Sequence, residues 1–141
     1  MQADGFDVAG SFLLRSMAKP SLNIDLAVRI PTACLVPRDA LNHRYFDKRA
    51  LYVGHLAKCA LDKEGRLGEL IDKVEFSYFK GDPRKPVLLL HPTLPVGTKK
   101  GSPGKSEAKH AKSGFIIRLL PCCSREVMVP ARLAPGRNNV R

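Results

Sequence analysis

The sequence lacks the long apolar runs and the leader pattern that direct a chain to a membrane or to secretion. Its longest run of large apolar residues spans residues 87–90, far short of the ~20 residues of a membrane-spanning helix. The first residues contain neither the basic nor the apolar segment of a signal peptide. We therefore expect an intracellular protein with no membrane partner.

Cysteine and histidine are too few and too scattered for a disulfide framework or a zinc site. The cysteines are Cys34, Cys59 and the adjacent pair Cys122 and Cys123, with no Cys-x-x-Cys spacing. The histidines are equally dispersed: His43, His55, His91 and His110. We expect reduced thiols, no bound metal and no cofactor.

Acidic residues are scarce, above all in the last third of the chain. Lys and Arg number 24 against 13 Asp and Glu, a formal net charge of +11. Residues 1–97 contain 14 basic and 11 acidic side chains, a net +3, whereas residues 98–141 contain 10 and 2, a net +8. This asymmetry indicates a polyanionic partner, most commonly nucleic acid, or a basic surface that serves only solubility.

Apolar periodicity predicts an α+β domain that has one mixed sheet with helices on one side. Residues 22–30 alternate between apolar and polar side chains, as a half-buried strand does. Residues 38–61 repeat apolar side chains at a helical spacing, with Asp39 as the predicted N-cap. Further strands are predicted at residues 6–14, 74–79, 86–91 and 115–120, and a short second helix around residues 67–71.

Residues 98–113 have too few apolar side chains to fold against a core. We predict a disordered basic loop, because such a segment cannot bury enough surface to offset the entropy lost on ordering. It separates a core at residues 1–97 from a last strand and basic segment of the same domain at residues 114–141. The segment could contact phosphates, act as a nuclear-import-type patch or be an inert insertion. Its candidate phosphate-binding residues are Lys99, Lys100, Lys105, Lys109 and Lys112.

One motif is similar to the nucleotidyltransferase fold of poly(A) polymerases. Gly10 and Ser11 are followed, after eleven residues, by Asn23 and Asp25, which share one face of a predicted strand. In that fold a Gly-Ser turn holds a triphosphate, and a pair of strand carboxylates holds divalent metal ions.

Departures from that pattern remove the negative charge on which two-metal catalysis depends. Asn23 replaces the first acid, Arg15 stands where the pattern has glycine, and Arg118 lies on the later strand where a third acid is expected. We predict a degenerate site at Gly10, Ser11, Asn23 and Asp25 without catalysis or metal. The alternative is an active template-independent nucleotidyltransferase that uses Asp25 with ligands from elsewhere.

A second resemblance extends over nearly the whole chain. Asn-His-Arg-Tyr-Phe-Asp-Lys-Arg-Ala at residues 42–50 resembles the Asn-x-Arg-Tyr-Phe-x-Lys-Arg-Ala segment of the nucleolar RNA-associated protein (Nrap) family, and residues 10–14, 23–27 and 138–141 agree with it in order. The resemblance implies a fragment that holds the first, nucleotidyltransferase-like domain of a longer protein. It further implies a non-catalytic scaffold of the small-subunit processome, assembling with other processome proteins on pre-ribosomal RNA in the nucleolus during 18S maturation.

The basic start of the long helix offers further candidates for phosphate binding. Arg44, Lys48 and Arg49 are spaced so as to form either a phosphate-facing ridge or a solvated face paired with Asp47. Arg118 is a candidate as well.

The aromatic residues give no indication of base-specific recognition. Tyr45 and Phe46 are most simply core anchors rather than base-stacking groups, and neither an RNP-type aromatic platform nor a KH-type loop is present. A protein-interaction module with incidental basicity therefore remains an alternative to RNA association.

Overall fold

The computed structural model describes residues 3–17, 22–65, 67–95, 110–112 and 114–127, together with residues 129, 131, 134 and 136. The regular elements are the strands β1 (Gly5–Ala9), β2 (Leu22–Arg29), β3 (Ile71–Tyr78), β4 (Pro86–Pro95), β5 (His110–Lys112) and β6 (Phe115–Cys122), and the helices α1 (Gly10–Leu13) and α2 (Arg44–Leu61). Three short 3-10 turns lie at Thr32–Cys34, Pro37–Ala40 and Phe79–Gly81.

The strands form one mixed sheet in the order β1-β2-β6-β4-β3, with β5 paired to the end of β4. β2 and β6 run parallel, and the other pairs are antiparallel. The predicted α+β class with a mixed sheet is confirmed. The parallel register places Leu26 opposite Leu119 and Asp25 opposite Arg118, so the central pair carries an apolar row on one face and a charged pair on the other.

The core lies between α2 and one face of the sheet. Val28 of β2 and Leu88 of β4 are 0% exposed, and they meet Val53 of α2, which is 1% exposed. Tyr52 and Leu119 extend the same cluster. The alternation along β2 determines this face, because every second side chain points toward α2.

The helix prediction was right for most of α2 but wrong at its start. Residues 37–40 form a 3-10 turn, and Asn42 and His43 adopt positive φ values of 53° and 61°, so α2 begins at Arg44. Asp39 accepts a 2.9 Å hydrogen bond from the Val36 amide. It therefore caps the 3-10 turn rather than α2.

Three other elements differ from their predictions. β1 ends at Ala9, and the chain turns into α1 where a longer strand was predicted. No helix forms around residues 67–71, because the chain turns there and Ile71 opens β3 against β4. Residues 110–112 form β5 instead of belonging to a disordered loop, since backbone pairing with Thr93 of β4 needs no apolar side chain.

No disulfide joins the four cysteines. No helix in the described part of the chain has the length and apolarity to cross a membrane. Residues 96–109, which carry four of the loop lysines, and the matched segment at residues 138–141 lie outside the described residues.

Candidate functional site

The sheet brings the two halves of the Gly-Ser and Asn-x-Asp motif together. Ala9 at the end of β1 pairs with Asp25 of β2, and Gly10 follows with a positive φ of 73°. A Cβ atom on Gly10 would lie 2.7 Å from Oδ2 of Asp25. Glycine is therefore needed here for its backbone conformation and for the close approach of the carboxylate.

Asp25 is engaged by an arginine rather than by a second carboxylate. Nε and Nη2 of Arg118 donate hydrogen bonds of 2.8 Å each to Oδ1 and Oδ2 of Asp25. The two side chains are 35% and 14% exposed, respectively. This two-point pairing neutralises Asp25 on the face where a cation-binding site would need excess negative charge.

The residues around Asp25 do not fit a two-metal centre. Asn23 is exposed and carries a neutral amide, and Arg15 lies just beyond α1 with a φ of 53°. Asp7 of the neighbouring strand is paired with Arg29 at 3.0 Å. Within the described ranges no three His, Cys, Asp or Glu side chains come together as metal ligands.

The proposed phosphate ridge on α2 is not formed by its three basic residues. Nε and Nη2 of Arg49 both donate to the Pro86 carbonyl at 3.3 Å, and Arg49 is only 8% exposed. Nζ of Lys48 donates to the Cys34 carbonyl at 2.7 Å. Arg44 alone is exposed. Arg49 is therefore turned into the fold, Lys48 is part-exposed and bound to a carbonyl, and only Arg44 of the three is fully exposed.

Tyr45 packs against the core, as the core-anchor interpretation predicted. Burial is the main cause that raises its pKa to about 12, although the nearby Arg49 guanidinium acts in the opposite direction. Phe46, the other predicted core anchor, is half-buried but does not belong to the core cluster, and its ring lies 6.0 Å from that of His43.

Sequence reasoning missed Arg84, whose guanidinium carbon lies 5.7 Å from the Phe46 ring centroid. The available signal was the run Lys-Gly-Asp-Pro-Arg-Lys at residues 80–85, a basic turn between two strands. Among the loop lysines, Lys112 lies on β5, and Lys99, Lys100, Lys105 and Lys109 lie outside the described residues.

Comparison with known proteins identifies the family. Residues 2–141 match the family model described as Nrap protein domain 1. The chain belongs to the Nrap family. It is 42% identical over 135 residues to Nucleolar protein 6 of Mus musculus and 39% identical over 134 residues to that of Homo sapiens, covering 95% of this chain in each case. It is 31% identical over 136 residues to U3 small nucleolar RNA-associated protein 22 of Saccharomyces cerevisiae, covering 94% of this chain.

This Nrap domain spans only 10% of the length of each of these relatives. Their names describe nucleolar and RNA-associated proteins and include no enzymatic activity. The segment at residues 42–50, which carried the resemblance, opens α2 with the left-handed residues Asn42 and His43 and contains the buried Arg49. Much of that segment therefore has a role in connecting the helix to the sheet.

Proposed function

We propose that this Nrap domain is a degenerate, nucleotidyltransferase-like module that acts as a non-catalytic scaffold in small-subunit ribosome biogenesis. In this role it associates with pre-ribosomal RNA and other processome proteins in the nucleolus. The observation that carries the proposal is the Asp25–Arg118 pair. A guanidinium bound to Asp25 at two points supports this, because the resemblance to a nucleotidyltransferase would lead us to expect further carboxylates and metal ions there.

The printed names of the relatives support the location and the RNA association. Nucleolar protein 6 and U3 small nucleolar RNA-associated protein 22 are nucleolar and RNA-linked by name. The net charge of +11 supports the same partner, because Lys and Arg bind phosphates with little regard to sequence.

A nucleotide-incorporation assay tests the non-catalytic part. The chain is incubated with a labelled RNA primer, all four nucleoside triphosphates, and magnesium or manganese, beside a poly(A) polymerase as positive control. We expect no extension by the wild type or by Asp25→Asn. Extension by the wild type that Asp25→Asn abolishes would establish the active transferase instead.

A salt titration tests the RNA part. We expect the chain to bind single-stranded RNA at low salt and to lose affinity steadily as salt rises. The reason is that Lys and Arg side chains release counterions condensed on the RNA, and this release is less favourable at high salt. Absence of binding at low salt would favour the alternative of a protein-interaction module with incidental basicity.

A further inference from the structure

The turn between β3 and β4 is a basic surface formed by residues other than the Asp25–Arg118 pair and the loop lysines. Residues 79–85 contain Lys80, Arg84 and Lys85 against the single acid Asp82, a net charge of +2 in seven residues. β4 is ten residues long, or ~30 Å at about 3.3 Å per residue. This turn precedes β4, and the lysine-rich segment follows it.

Aromatic rings are interleaved with the cations of this turn. The Arg84 guanidinium carbon lies 5.7 Å from the Phe46 ring centroid, and the Lys80 ammonium lies 5.7 Å from that of Phe79. The His43 ring stacks on Phe46 at 6.0 Å with an interplanar angle of 28°. We call these five residues, His43, Phe46, Phe79, Lys80 and Arg84, the turn patch.

Contacts below the surface hold the turn patch in place. Arg49 links α2 to the start of β4 through its two hydrogen bonds to the Pro86 carbonyl. Asp82 accepts hydrogen bonds of 3.2 Å from both Nε and Nη2 of Arg84, so the plane of the guanidinium is defined while the side chain remains 62% exposed. The patch is therefore organised before any partner binds, which lowers the entropy cost of binding.

We propose that the turn patch binds single-stranded RNA. Lys80 and the part of the Arg84 guanidinium that is not bound to Asp82 contact phosphates. The exposed ring of His43 and the flat guanidinium of Arg84 stack against bases. Alternating cations and π surfaces are the chemistry that single-stranded nucleic acid uses, whereas an acidic peptide would use only the cations. This inference rests on the proposed RNA association and assigns it a surface.

The test compares three variants of the 141-residue chain by fluorescence anisotropy. Lys80→Asn/Arg84→Ala removes the phosphate contacts, and asparagine suits the positive φ of 51° at Lys80. His43→Asn removes only the ring and likewise tolerates the left-handed backbone. Lys58→Ala/Lys63→Ala removes the same charge from exposed positions elsewhere. The probes are a labelled single-stranded RNA, inorganic polyphosphate and an oligoglutamate peptide, and circular dichroism verifies that each variant is folded.

We expect Lys80→Asn/Arg84→Ala to bind RNA about tenfold more weakly and to lower the slope of log affinity against log salt by about 1.4. His43→Asn should lower the affinity for RNA about fivefold and leave the affinity for polyphosphate unchanged, because only RNA has bases to stack. The control pair should change RNA affinity less than twofold, and 4-thiouridine crosslinks should map to residues 43–46 and 79–85.

Two results would overturn the proposal while leaving RNA association intact. One is a loss of RNA affinity in Lys80→Asn/Arg84→Ala that is no greater than the loss in the control variant Lys58→Ala/Lys63→Ala. The other is an unchanged His43→Asn together with oligoglutamate binding as tight as RNA at equal charge, which would make the patch a surface for acidic proteins. Failure of the wild type to bind RNA at any salt would instead contradict the proposed function itself, and this inference with it.

Discussion

Asp25 and Arg118 face each other across the parallel pair of strands, joined by two hydrogen bonds of 2.8 Å. A carboxylate that could hold a metal ion instead holds a guanidinium whose positive charge is part of the chain. The pair also connects β2 to β6 beside the apolar row of Leu26 and Leu119. At the scale of single residues, Arg118 both neutralises Asp25 and adds a structural contact between the two strands.

Replacing Arg118 with leucine should lower the free energy of unfolding by about 2 kcal/mol, because the part-buried Asp25 carboxylate loses its cation. The double variant Asp25→Leu/Arg118→Leu should recover most of that loss, since no unpaired charge remains. Urea denaturation at neutral pH measures both. A double variant as unstable as Arg118→Leu alone would show that packing, not charge, determines the cost.

Two glycines should respond to alanine in opposite directions. Gly10→Ala should cost about 1–3 kcal/mol, because φ is +73° and the new Cβ would lie 2.7 Å from the Asp25 carboxylate. At Gly54 in α2 a new Cβ would meet no atom within 4 Å beyond its own helix backbone and chain neighbours. Gly54→Ala should therefore stabilise the fold by about 0.5–1 kcal/mol. Thermal unfolding of both variants provides the comparison. A stabilised Gly10→Ala would show that the backbone adjusts there at no cost.

At the scale of elements, the start of α2 shows how a helix is connected to a sheet. Its first two turns contain Tyr45, which packs on the core, and Arg49, which reaches the first residue of β4. The residues just before it, Asn42 and His43, turn the chain through left-handed conformations. The start of α2, whose sequence predicts a basic helix face, therefore also connects the helix to the sheet.

Arg49→Met should destabilise the chain by about 2 kcal/mol, since the Pro86 carbonyl loses both guanidinium donors in a part-buried position. Arg44→Met, five residues earlier on the exposed side of the same helix, is the matched control and should change stability by less than about 0.5 kcal/mol. Chemical denaturation measures the difference. Equal effects of the two substitutions would contradict the connecting role of Arg49.

The same helix should make the fold sensitive to high pH. Burial raises the pKa of Tyr45 to about 12 from 10.0, so the folded state favours the neutral phenol. This contribution is fully present below pH 10 and is lost as the pH rises toward 12. Tyr45→Phe should show a smaller loss of stability over that pH interval. Part of the pH dependence should remain in this variant, because burial also raises the pKa values of Cys122 and Cys123. Urea midpoints at several alkaline pH values test this, and an unchanged pH dependence in Tyr45→Phe would contradict it.

At the scale of the whole molecule, two basic regions precede and follow β4 in the chain. One is the turn patch before Pro86, and the other is the lysine-rich segment after Pro95. The rest of residues 1–97, outside residues 79–85, has a net charge of only +1. The chain therefore carries its excess of cations in more than one segment, which suits contact with an extended polyanion.

Replacing residues 98–109 with an equally long Gly-Ser linker should leave the melting temperature nearly unchanged, because β5 and its pairing with β4 are kept. The replacement removes four lysines and one glutamate. It should lower the salt-dependence slope for RNA by up to about 3. A shuffled version of the same twelve residues is the control and should bind like the wild type. A large fall in melting temperature would show that the segment is structural.

The α+β class, β2, most of α2, β4 and β6 were predictable because their periodicity matches one buried face. The contact of Asp25 with Arg118 was not predicted as such, and the degenerate character of the motif stays a prediction. The helix around residues 67–71 was wrong, since pairing of Ile71 and its neighbours with β4 outweighs a short local pattern. β5 was missed because its stability comes from a partner strand rather than from its own side chains.

The sequence by itself determined the charge, the elements with strong periodicity and the neutral Asn23 two residues before Asp25, since each is a property of residues close together in the chain. Only the tertiary structure decided which cations are internal. Arg118 and Asp25 are 93 residues apart in sequence, and Arg49 and Pro86 are 37 apart, yet each pair is in contact. Whether an arginine faces solvent or a buried carbonyl depends on contacts between distant segments, and no local pattern records those.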